Sequence, residues 1–103
     1  MRGYVLSPAA EHDLDDIWDY TVDRWGEAQA ERYILNIEST VQSLVDGTQP
    51  GLSAEGIRKG YRKALVGMHV VFFRQSAELV EVIRILHQQM DIPGRLGDFD
   101  QVR

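Results

Sequence analysis

The feature that most constrains this chain is a change of hydrophobic period near its middle. From Leu14 to Val45 apolar side chains recur at spacings of three and four, the repeat of one helix face. From Arg58 onward the pattern becomes that of strands: Arg58 to Leu65 alternates charged and uncharged residues, Met68 to Phe73 is rich in β-branched and aromatic types, and Leu79 to Leu86 is dominated by valine and isoleucine. Between the two regimes lies Gly47-Thr48-Gln49-Pro50-Gly51-Leu52-Ser53, which has the composition of a loop. A helical stripe and a sheet face must then be buried against each other within 103 residues, which implies one α+β domain spanning 1–103 with a single core.

Local signals set the boundaries. Ser7-Pro8 suits a helix start, serine as the cap and proline at the first helical position. Glu11 falls one residue late for a capping box. Leu14, Ile17, Trp18, Thr21 and Trp25 form an apolar stripe, and Gly26 is a natural stop, so the first helix is predicted over Pro8 to Trp25. The run Ala30, Tyr33, Ile34, Ile37, Val41, Leu44 and Val45 predicts a second helix ending near Asp46-Gly47. The two form an antiparallel hairpin whose core is expected to hold Trp18, Trp25 and Tyr33. Gly67 and the 75–78 stretch separate three strands of an antiparallel meander, and Tyr4-Val5-Leu6 is a fourth candidate. The expected order is β-α-α-β-β-β, with the hairpin packed on one sheet face. The stretch 92–103 has no clear period and reads as a loosely packed tail.

Composition narrows the functional classes. Hydrophobic residues make up 44% and charged residues 26%, as in an ordinary globular domain. There is no cysteine, so disulfides, thiolate metal sites and a cysteine nucleophile are excluded. Residues 1–6 lack the apolar run of a signal peptide and no stretch approaches membrane-spanning length, so a cytoplasmic location without membrane contact is expected. The net charge of −5 argues against direct DNA binding by this chain. That charge is unevenly spread: residues 1–57 hold eleven acidic and three basic side chains, net −8, and residues 58–103 hold five and eight, net +3. The three histidines and the carboxylates show no spacing suited to a metal, and no cofactor is expected.

Strand register bears on which side chains are exposed. With Ala77-Glu78 as a two-residue turn, Arg74 falls opposite Glu81, Phe72 opposite Ile83 and Val70 opposite Ile85. The face carrying Val70, Phe72, Ile83 and Ile85 would then meet the helices. Arg84 would lie on the other face with His69, Val71, Phe73 and Val82, a mixed surface suited to a partner or target. His87 would lie beside Met68.

The sequence also resembles a known family. Leu6-Ser7-Pro8-Ala9-Ala10-Glu11-His12-Asp13-Leu14-Asp15-Asp16-Ile17-Trp18-Asp19-Tyr20 looks like the first helix of ParE toxins. Arg84-Ile85-Leu86-His87-Gln88-Gln89-Met90-Asp91 resembles the end of their last strand, and the similarity covers nearly the whole chain. On this basis the chain is identified as a member of the RelE/ParE superfamily, on its ParE branch. The resemblance implies the toxin of a type II toxin–antitoxin pair, blocking replication through DNA gyrase and neutralised in a hetero-oligomer by a ParD-like antitoxin. The alternative within the superfamily is a ribosome-dependent mRNA endoribonuclease, which needs a proton-transfer pair and cations around the scissile phosphate.

Arg62, Arg74, Arg84, His87, Met90 and Asp91 are the candidates for target contact. Met90 stands where a basic residue would fit before Asp91. Trp18, Tyr20, Val71 and Phe73 are the candidates for antitoxin contact, and exposed strand edges offer an extended segment a second mode of binding. No residue is assigned a catalytic role. Each candidate has a plainer reading: His87 as a structural hydrogen-bonding histidine, Arg74 as a surface partner of Glu81, and the acidic helices as a solvated face.

Overall fold

A computed structural model describes residues 3–88. Its elements are β1 (Gly3–Leu6), α1 (Pro8–Trp25), α2 (Glu27–Asp46), β2 (Leu52–Ser53), β3 (Arg62–Val66), β4 (His69–Gln75) and β5 (Leu79–His87). The α+β architecture read from the sequence is present, with two additions. The expected loop contains the two-residue β2, and β1 joins β5 in parallel, so the sheet is mixed with order β1-β5-β4-β3-β2. Met90, Asp91 and the expected tail lie outside the described residues. Among the described residues no helix is long and apolar enough to cross a membrane.

The helix ends are closed as their sequences require. The Ser7 hydroxyl accepts from Ala10 N–H at 3.0 Å and donates to the Ile83 carbonyl at 2.6 Å, so the cap of α1 is also fastened to β5. Gly26 serves both helices, donating to the Val22 carbonyl and accepting from Ala30 N–H. The buried positions of α1 are Ala10, Asp13, Ile17 and Thr21. Trp18 and Trp25 do not enter the core: Trp25 is 71% exposed, one turn beyond the last buried position of its helix. Tyr33 packs at the edge of the main cluster.

That cluster joins Ala10 and Ile17 of α1, Ile37 and Val41 of α2, and Val71, Val82 and Ile85 of the sheet. Leu44 continues it onto Ala64, Phe73 and Val80. The face turned away from the helices buries Val70, Phe72, Ile83 and Leu86 together with Ala54 and Tyr61 of the segment before β3.

The register read from the sequence holds through the turn and then fails. Gln75 pairs with Val80, Arg74 with Glu81 and Phe73 with Val82, as expected from an Ala77-Glu78 turn. A β-bulge then leaves Ile83 without a partner, and the pairs become Phe72 with Arg84, Val71 with Ile85 and Val70 with Leu86. The extra residue shifts the alternation of the β5 residues that follow it. Val71, Phe73 and Val82 point into the helices and Val70, Phe72 and Ile83 point away, the reverse of the expectation, because the helices cover the other face of the β4–β5 pair; beyond the bulge Ile85 joins the helix side, where it was expected. His87 pairs with His69, not Met68; Met68 instead accepts from Gln88 N–H.

Arg84 is tied to α1. Its Nε and Nη2 each reach an Asp13 carboxylate oxygen at 2.8 Å, a two-pronged pair with side-chain exposures of 16% and 8%. The same carboxylate accepts from Ile85 N–H at 2.9 Å. β1 leaves the edge of β5 at Val82, and Ser7 and Asp13 satisfy the first backbone groups that it no longer covers. Asp13→Ala strands the Arg84 guanidinium and the Ile85 N–H together, so it is expected to destabilise the fold by about 3 kcal/mol or more. Urea unfolding checks this, and Asp13→Asn, which keeps an acceptor for Ile85, is expected to cost less.

Candidate partner-binding site

Where β1 stops, α1 crosses the free side of β5 and leaves a cleft of about 530 Å³. Ile17, Ile85 and Leu86 give it an apolar floor. Asp13, Asp16 and Tyr20 line the helix side, and His69 and His87 close one end. Tyr20 is 58% exposed, its hydroxyl accepting from Arg24 Nε and Nη2 one turn on. Of the carboxylates of α1, Asp13 and Asp16 line the cleft; Asp13 is paired with Arg84, and Asp16 lies exposed 3.3 Å from His12 Nδ1. The cleft therefore combines an apolar trough with an acidic rim.

The histidine end is built by α2 and the β3–β4 turn. Tyr33 places its hydroxyl 2.6 Å from His69 Nδ1, takes the Met68 N–H at 3.0 Å, and lies 3.3 Å from the Val66 carbonyl. Gly67 makes this close approach possible: it has φ +56, and a Cβ there would stand 2.5 Å from the tyrosine oxygen. Burial raises the Tyr33 pKa against the opposing Met68 hydrogen bond. His69 is lowered to about 4, first by burial and then by the neighbouring His87, whose ring meets it edge-on at 5.4 Å, with Asp13 opposing. At neutral pH His69 thus lines the end of the cleft uncharged, backed by the Tyr33 hydroxyl.

The candidates drawn from the sequence are dispersed by the fold. Tyr20 and His87 line the cleft. Trp18 is partly exposed on α1 outside its lining. Val71 and Phe73, expected as antitoxin contacts, are fully buried, because the helices pack on the face of β4 that carries them. The three arginines are not gathered. Arg62 is held by the carbonyls of Pro50 and Gly51, Arg74 pairs with Glu81 at 2.8 Å, and Arg84 is bound to Asp13. The supposed Arg84 surface with His69, Val71, Phe73 and Val82 does not exist. Asp13, Asp16, Ile17, Tyr33, Ile85 and Leu86 were not singled out for a site. The adjacent apolar pair Ile85-Leu86 at the end of a strand was the available hint.

Comparison with known proteins agrees with this fold. A family profile described as "ParE toxin of type II toxin-antitoxin system, parDE" matches residues 4–92. The chain belongs to the ParE toxin family. Toxin ParE1 of Mycobacterium tuberculosis is 42% identical over 94 residues, covering 90% of this chain and 96% of that protein. Toxin ParE1 of Caulobacter vibrioides is 42% identical over 97 residues, covering 94% and 100%. Among solved structures, a chain of the chromosomal ParDE system of P. aeruginosa superposes with a TM-score of 0.73 at 22% identity, covering 84% of this chain and 96% of that one. The E. coli YafQ mutant H87Q shares the fold at a TM-score of 0.57 and 18% identity, covering 85% of this chain and 94% of that one. Membership of the ParE family makes this chain a toxin of the type II toxin–antitoxin class.

Acid should loosen the histidine end. Because His69 stays neutral in the fold down to about pH 4, the unfolded chain takes up its proton first as pH falls below 6.5. Its contribution is complete above pH 6.5 and is lost between there and about 4. In urea unfolding at pH 7.5, 5.5 and 4.5, His69→Gln should show a shallower decline of midpoint with acid than the parent protein.

Proposed function

We propose that this chain inhibits DNA gyrase, so blocking replication, and that a ParD-like antitoxin neutralises it by laying a segment in the cleft between α1 and β5. The observation that carries the antitoxin part is the cleft itself. It lies on the side of β5 that β1 leaves uncovered after Val82, it has an apolar floor, and its acidic rim supplies orientation. An extended or helical segment with apolar anchors for Ile17, Ile85 and Leu86 and a cation facing Asp16 fits that chemistry. The chain and its antitoxin form a hetero-oligomer in this reading.

Family membership and the resemblance of the first helix and last strand support gyrase as the target. The arginine geometry favours a binding protein over the ribonuclease alternative. A nuclease needs cations converging on one phosphate, whereas Arg62, Arg74 and Arg84 are each engaged by a different intramolecular partner. Inducing the chain without antitoxin in growing bacteria, with labelled thymidine and labelled amino acid, separates the two. DNA synthesis is expected to fall first, and purified gyrase should lose supercoiling activity on addition of the protein. A first fall in protein synthesis would overturn the gyrase reading.

The cleft has its own test. Tyr20→Ala is expected to weaken antitoxin binding about tenfold or more by calorimetry, as loss of an aromatic anchor does, while leaving the thermal midpoint close to the parent's because Tyr20 is exposed.

A further inference from the structure

The Tyr33 hydroxyl has three neighbours and a single hydrogen to give. It accepts the Met68 N–H at 3.0 Å and lies 3.3 Å from the Val66 carbonyl and 2.6 Å from His69 Nδ1. The lengths decide where the hydrogen goes. A hydroxyl donor is at its best near about 2.7 Å, whereas an N–H donor prefers about 2.9 Å or more. The short contact therefore has the hydroxyl donating to a bare Nδ1, with the Val66 carbonyl a longer and weaker neighbour. Burial raises the Tyr33 pKa, so this donor keeps its hydrogen at neutral pH. A neutral imidazole carries one N–H, and the bond made by one ring nitrogen sets which of the two holds it. With Nδ1 accepting, the proton of His69 sits on Nε2.

The elements hold this arrangement from two sides. Tyr33 comes from α2, and Met68 and His69 come from the turn and the start of β4, where Gly67 admits the tyrosine ring. Tyr33 is not itself part of the cleft lining, whereas His69 is. Nε2 of His69 is accessible and, among the described residues, has no hydrogen-bond partner. The other polar groups of the cleft are differently committed. The Asp13 oxygens take Arg84 and the Ile85 N–H, and the Tyr20 hydroxyl accepts from Arg24. The fold thus orients one neutral N–H at the end of an apolar trough and gives it nothing to bind.

We infer that His69, set by Tyr33 as an Nε2–H donor, takes a main-chain carbonyl of the segment that occupies the cleft. This rests on the reading of the cleft as the seat of the antitoxin. The surroundings select the acceptor. Asp16 lines the same cleft with only His12 within ion-pair distance, so a carboxylate there would meet like charge. A main-chain carbonyl is neutral, and every residue of a docked segment carries one. Once the segment covers Ile17, Ile85 and Leu86, water is excluded from their neighbourhood, and an N–H or carbonyl left unmatched there would weaken binding. Tyr33 is a positioning residue: it acts on the partner only by keeping the His69 proton on Nε2.

The full chain labelled with ¹⁵N-histidine is followed by two-bond ¹H–¹⁵N spectra at pH 7.5, alone and with its separately purified antitoxin. Free His69 is expected to show a protonated Nε2 and a bare Nδ1, and Tyr33→Phe should let both tautomers appear while the amide spectrum shows the fold intact. In the complex the Nε2 proton should exchange slowly with water. By calorimetry His69→Phe, a ring without the donor, should weaken antitoxin binding about tenfold, whereas His69→Gln, whose amide N–H reaches the Nε2 position, should stay within about threefold of the parent. A protonated Nδ1 in the free protein, or equal losses in His69→Phe and His69→Gln, would overturn the inference. So would His69→Phe binding as tightly as the parent while Tyr20→Ala binds weakly, an outcome that leaves the cleft as the seat. If both variants bind like the parent, the seat lies elsewhere and the inference falls with it.

Discussion

The contact on which the rest of this structure depends is the pair between Asp13 of α1 and Arg84 of β5. Burying two charges costs free energy that their mutual attraction barely offsets, so the value of the pair lies in where it puts things. Asp13 is the one buried carboxylate of the first helix, and it also takes the Ile85 N–H where β1 has left the edge of β5. Helix and strand are thereby locked at one separation and one rotation. The cleft lined by Ile17, Tyr20, Ile85 and Leu86 is the space left beside that lock.

A second constraint acts through the bulge at Ile83. It lets Val82 and Ile85, three residues apart, both face the helices, while Ile83 and Leu86 both face away. A regular strand alternates with period two and cannot do this. Arg84 follows directly after the bulge and reaches Asp13 of α1. Both contacts that organise the candidate site thus arise within three residues of one irregularity.

Charge is unevenly divided along the chain. The acidic side chains are concentrated on the helical layer, which holds one rim of the cleft, whereas residues 56–77 carry cations and no carboxylate.

By itself the sequence determined the element types, their order and much of their extent. The period of Leu14 to Val45, the Ser7-Pro8 start, Gly26, and the valine-rich runs act locally, so α1 begins and ends where the spacing predicts and the Ala77-Glu78 turn sets the first three pairs of β4 with β5. The family, too, was legible in the first helix and last strand. The tertiary structure alone decided the faces and the site. Both faces of β4 are apolar, so alternation could not say whether Val71 and Phe73 or Val70 and Phe72 would meet the helices, and the bulge in β5 has no composition that announces it. Asp13 reads as one more member of an acidic stripe until Arg84, 71 residues away, closes on it. The pairing of Tyr33 with His69 likewise spans 36 residues and depends on a glycine turn meeting a helix. Periodicity reports which way a side chain points along its own element; which neighbour it meets is set by how the elements pack, and that information is not local.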